Sequence, residues 1–279
     1  MQLQRPRKPF ALFIEYWYDI LLNMAEKRDI KFTEMSLGDH LEELRIRVIL
    51  AIIGIAVGLT ICMFFSGYFL SLLARPYLQI QQQAGVSISL QAITLSEKFM
   101  VYMKTALLFS LVFSSPWVFY QLWQFISAGL YPHERRLVYI ISPACAMLFI
   151  AGAMLFLLII APIMIKFFTD FDVGIKQVQT QVTISSYIDF MFSMMLVFGL
   201  CFQLPIAIIA ANRIGIVSVD NLKKSRKYVL LVIFIVAAVV TPSTDMISQI
   251  ALAVPMYILY EIAILFSVPT GKRHTLRED

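Results

Sequence analysis

Uncharged stretches long enough to cross a bilayer recur through most of this chain, and they constrain the fold before any other feature does. A hydrocarbon core of about 30 Å needs about 20 apolar residues in helical form. Runs of that kind fall at about 48–70, 104–126, 137–165 and 188–211. Between Tyr228 and Tyr260 the only charge is Asp245, within Thr241-Pro242-Ser243-Thr244-Asp245. Those turn-forming residues divide the stretch into a helical hairpin, about 228–241 and 247–266. Its first helix would span only about 20 Å at 1.5 Å per residue, which predicts locally thinned bilayer. The expected fold is an all-α polytopic membrane bundle of six spans. A mean hydropathy of +0.78, with 59% hydrophobic and 15% charged residues, excludes an ordinary soluble domain.

Basic residues set the orientation. Eighteen of the 23 lie in the segments that six spans place on one side. They are Arg5, Arg7, Lys8, Lys27, Arg28, Lys31, Arg45 and Arg47, then Arg135 and Arg136, then Arg213, Lys223, Lys224, Arg226 and Lys227, and finally Lys272, Arg273 and Arg277. The other side holds Arg75, Lys98, Lys166 and Lys176, with Lys104 just inside the membrane. The positive-inside rule therefore puts both termini on the cytoplasmic or stromal side. The net charge of +5 is a topology signal of this kind, and no nucleic-acid partner is expected.

Residues 1–35 form an N-terminal extension ahead of a membrane domain at 36–268, and 269–279 form a tail. The aromatics between Phe10 and Tyr18 suit a helix lying in the interface, while Glu15 and Asp19 rule out a signal-peptide core. A poorly ordered extension fits the same residues. Cys62, Cys145 and Cys201 sit in apolar runs and read as packing residues. His40, His133 and His274 lack metal-ligand spacing, and no hydrolase or nucleotide-binding motif is present. Neither an enzyme nor a bound cofactor or metal is expected.

Two dense motifs carry the informative charges, His40-Leu41-Glu42-Glu43-Leu44-Arg45-Ile46-Arg47 and Tyr131-Pro132-His133-Glu134-Arg135-Arg136. Ser36 and Asp39 form a capping box for a helix that runs straight into the first span. Four residues separate Glu43 from Arg47, so they share a helix face and can pair. Glu134 precedes the third span, where an acid suits the helix dipole. The topology sends both carboxylates to the same leaflet, which suits a receptor for a cationic partner; solvated boundary charges fit the same residue types. Gln203 sits midway along the fourth span, as helix–helix glue or a docking point for a polar group. Glu261 is placed to snorkel or to pair with a loop base.

Taken together, these motifs resemble those of the TatC family, the receptor subunits of the twin-arginine protein translocase. The resemblance covers about 36–268 and includes Ser115 to Phe125, Leu130 to Arg136, Phe202-Gln203-Leu204-Pro205 and Thr241 to Asp245. It implies a concave, glove-like bundle in which Glu43 and Glu134 receive the paired arginines of a folded cargo's signal peptide. Arg45 and Phe125 would support that site, and Pro76 and Asp245 would match transport-critical positions. Gln203 would dock single-span TatA- or TatB-type partners in a hetero-oligomer driven by the proton-motive force. Many family members carry glutamate at the position of Gln203. The membrane would be a bacterial inner membrane or a thylakoid. A transporter lined by Lys104, Gln203 and Glu261 is the rival class, yet residues 48–165 and 190–268 show no internal repeat. A purely structural scaffold is the third reading.

Overall fold

The computed structural model describes residues 37–83, 90–128, 135–170, 182–241 and 245–267. Ten α-helices account for nearly all of these residues. In chain order they are α1 Leu37–Phe64, α2 Ser66–Gln83, α3 Glu97–Ala128, α4 Arg135–Leu155, α5 Ala161–Asp170, α6 Ile184–Cys201, α7 Leu204–Ile214, α8 Val219–Lys224, α9 Arg226–Val240 and α10 Met246–Phe266. A π-helical turn, Phe156–Ile160, joins α4 to α5. Among the described residues five stretches are long and apolar enough to cross a membrane, and α9, with 15 residues, is shorter than they are. With α9 included, every one of the six expected spans has its helix.

Helix α3 is the hub, packing against α1, α2, α4 and α6. Its own Leu108 and its large apolar partners Leu73, Phe156, Met191 and Phe198 are fully or almost fully buried. α7, α8, α9 and α10 build the second end, around Val219, Leu222, Tyr260 and Ile264.

The seam between α1 and α3 is held by side chains donating to main-chain carbonyls. Ser110 Oγ donates to Ile55 O at 2.8 Å, Ser114 Oγ to Gly54 O at 3.2 Å, and Trp117 Nε1 to Leu50 O at 2.9 Å. Toward the far side, Tyr102 Oη donates to Met63 O at 2.7 Å. Gly54 and Gly58 permit this approach. A Cβ on Gly54 would meet Trp117 Cδ1 at 2.2 Å, and one on Gly58 would meet Ser114 Oγ at 2.3 Å. This is the small-xxx-small device of membrane helices, used here within one chain.

Prolines act differently from one another. Pro116, Pro143 and Pro255 lie inside uninterrupted helices, as does Pro76 in α2. Pro162 follows the π turn, which widens the helix just where the ring removes a hydrogen bond. Pro205 falls in the first turn of α7, after the fourth span breaks at Phe202-Gln203. That break falls where a proline predicts a kink, whereas the continuation of the first span's helix past Phe65 to Gln83 extends beyond the apolar run that sequence marks at 48–70. At Phe65 the ladder tightens, with Phe65 N bonding Cys62 O at 3.1 Å.

At the far-side corner Glu97 is a buried carboxylate joining two connections. It accepts from Ile93 N at 2.6 Å and Thr94 N at 3.2 Å, and across the bundle from Ser185 N at 3.0 Å. Beside it, Gln91 and Thr183 form a parallel β-bridge.

Candidate functional site

The cytoplasmic ends of α1 and α3 bring the informative charges together. Helix α1 carries His40, Glu43 and Arg47 on one face because their spacings are three and four residues. Helix α3 presents Gln121 and Phe125, four apart, to that face. Arg47 donates through Nη2 to Glu43 Oε1 at 3.3 Å and through Nη1 to Gln121 Oε1 at 3.2 Å. The His40 ring stacks on Phe125, with centroids 4.5 Å apart. Glu43 and Arg47 side chains are 20% and 27% exposed, so the carboxylate is half-covered and not a freely solvated surface anion.

One feature of this pair is unusual. The edge of a guanidinium formed by Nε and Nη2 can grip both oxygens of a carboxylate in parallel. Only the Nη2 leg is made. Glu43 Oε2 and Arg47 Nε are both covered and lack a hydrogen-bond partner. A buried polar atom left so costs about 1–3 kcal/mol, which a ligand supplying the missing partner would recover.

The other residues singled out by sequence lie elsewhere. Arg45 is exposed on α1, two residues from both Glu43 and Arg47 and so turned away from the face they share. Glu134 and Ser36 lie outside the described residues, as do Pro242, Ser243 and Thr244. Pro76 is inside α2 toward the far side. Gln203 caps the start of α7; its Nε2 donates to Cys145 O at 3.0 Å, and its Oε1 is buried without a partner. Asp245 is the N-cap of α10, bonding Ser248 N and Ser248 Oγ at 2.7 Å each. It is thus a half-buried helix cap within the turn-forming segment that sequence marks.

Lys104, Gln203 and Glu261 do not line a common path. Lys104 pairs with Asp189 at 2.5 Å, and Glu261 with Arg226 at 2.7 Å and with Tyr257 Oη at 3.1 Å. Sequence reading overlooked Asp189, Glu97 and Gln121, whose partners are distant along the chain. The Gly54-xxx-Gly58 spacing signals the close approach of α1 to α3, which bears on Gln121 alone. Among the described residues no group of three or more His, Cys, Asp or Glu could hold a metal ion.

A polytopic helical bundle with a partly covered carboxylate–guanidinium pair at its cytoplasmic rim has the framework of a membrane receptor. The comparisons agree with that class. The family model for the Sec-independent protein translocase protein (TatC) matches residues 39–255. The chain belongs to the TatC family. It is 35% identical over 233 residues to the TatC of Carboxydothermus hydrogenoformans, covering 84% of this chain and 93% of that one. To the TatC of Escherichia coli K12 it is 34% identical, covering 82% of this chain and 86% of that one. Among solved structures, the twin arginine translocase receptor TatC matches with a TM-score of 0.69 at 29% identity, covering 81% and 96%. The same receptor in DDM gives a TM-score of 0.71, covering 82% and 99%. The chain is therefore a multi-pass integral membrane protein and a non-enzymatic component of the Sec-independent protein translocase, and these relatives assign it to the bacterial inner membrane.

Proposed function

We propose that this protein is the receptor that docks the paired arginines of folded cargo, with Glu43 and Glu134 as the two carboxylates. The observation that carries the reading is Glu43 itself, half-covered at the cytoplasmic rim with Oε2 unsatisfied. A guanidinium is the cation best shaped to use it, because its planar fork matches carboxylate geometry where an ammonium offers a point charge. The Phe125–His40 stack flanks the position, while Arg45, turned away on α1, would support the site through its charge. Two charge-assisted contacts contribute about 3–6 kcal/mol in all, or millimolar to tens of micromolar affinity. The remainder must come from the signal peptide's apolar stretch against the spans, so binding weakens with salt without vanishing.

On the same reading, Gln203 docks TatA- or TatB-type single-span subunits at the break in the fourth span. Pro76 and Asp245 shape the far side that transport needs. The complex nucleated in this way draws on the proton-motive force.

The test is binding of a fluorescent twin-arginine signal peptide to the purified protein, beside a twin-lysine peptide. Preference for arginine, with Glu43→Ala and Glu134→Ala each weakening binding by about tenfold, is the expected result. Equal binding of both peptides, indifferent to both substitutions, would leave the carboxylates as mere boundary charges.

A further inference from the structure

We infer that Arg47 is a specificity residue of this receptor, donating through Nε to a main-chain carbonyl of the peptide whose arginine takes Glu43. This deepens the receptor reading and rests on it. Opening the half-made fork between Glu43 and Arg47 releases Nη2 from Oε1 and exposes two acceptors on Glu43 beside two donors, Nε and Nη2, on Arg47. An arginine side chain satisfies only the acceptors. The Nε–Nη2 edge then still needs an oxygen, and the oxygen every peptide carries beside an arginine, whatever its sequence, is a main-chain carbonyl.

Gln121 makes the arrangement workable. It holds Arg47 Nη1 from α3, so Arg47 can turn its Nε–Nη2 edge away from Glu43 without leaving the site. Both unpartnered atoms are covered in the free protein, which is therefore closed at rest and opened by the peptide. The site would read a cation and the backbone next to it together. A free guanidinium compound or an isolated arginine side chain meets half of that requirement.

The experiment uses the full chain in detergent and a twin-arginine peptide in which each carbonyl near the arginine pair is replaced, one at a time, by a thioamide. Sulfur is a poor hydrogen-bond acceptor, and the side chains are unchanged. One thioamide position is expected to weaken binding by about tenfold in the unsubstituted protein. Arg47→Lys keeps the charge but lacks the planar Nε donor. It should bind the parent peptide about tenfold more weakly and show no sensitivity at that position. Arg47→Ala should behave likewise, and a thermal melt confirms that each variant is folded.

A flat thioamide scan in the unsubstituted protein overturns the proposal without any variant being needed. So does a scan that keeps its sensitive position in Arg47→Lys. Glu43→Ala separates this inference from the reading beneath it. If that variant loses binding while the scan is flat, only the carbonyl contact falls. If it binds normally, the receptor site itself is elsewhere and both fall.

Discussion

Charged side chains near the hydrocarbon region are where single residues matter most. Lys104 and Asp189 are 40% and 49% exposed, and lie roughly 10 and 8 Å inside the far-side ends of α3 and α6 at 1.5 Å per residue. There the exposed surface meets lipid or the interface, so an unpaired ion costs more than a neutral pair of alanines. Asp189→Ala should therefore lower the melting temperature more than Lys104→Ala/Asp189→Ala does, with a coupling on the order of 1 kcal/mol. Additive losses in thermal melts would show that the pair is ornamental. Local pairings of this kind divide sharply in how legible they are. Glu43–Arg47 follows from a four-residue helical spacing. Lys104–Asp189 and Glu97–Ser185 join positions 85 and 88 residues apart, and no single-sequence pattern encodes such distances.

At the scale of elements, the α1–α3 seam positions the receptor site, because Glu43 and Arg47 ride on one helix while Gln121 and Phe125 ride on the other. Gly54→Ala drives a methyl to within 2.2 Å of Trp117, so the indole must turn and release Leu50 O. The expected loss is about 1–3 kcal/mol, visible as a lower melting temperature and altered tryptophan fluorescence. Gly67→Ala is the internal control, since nothing lies within 4 Å of its added Cβ. If the two variants melt alike, the close approach has no energetic role. Helix existence was readable from apolar run length, and so was the hairpin at Asp245. The π turn before Pro162 and the helical continuation to Gln83 were not. Both depend on how neighbouring helices absorb a lost or extra hydrogen bond, which composition does not record.

For the molecule as a whole, unequal helix lengths set its relation to the bilayer. α9 offers about 22 Å of helix at 1.5 Å per residue, against a hydrocarbon core of about 30 Å. Reconstituted in phosphatidylcholines of increasing chain length, the protein should be most heat-resistant in the thinner membranes and lose fractions of a kcal/mol per Å beyond them. A melting temperature indifferent to thickness would mean that α9 tilts or is covered in some other way. The asymmetry of burial among the spans carries a further consequence, for biogenesis. Only 6% of the most apolar window of the α1–α2 stretch is buried, whereas half of that in α3 is, and α3 is the least apolar of the five candidate spans. Helix α1 is thus equipped to leave the insertion machinery alone and wait in lipid. Helix α3 emerges later, too polar to be comfortable by itself, and meets a ready-made row of carbonyls for its serines and tryptophan. The order of synthesis supplies the acceptor before the donor.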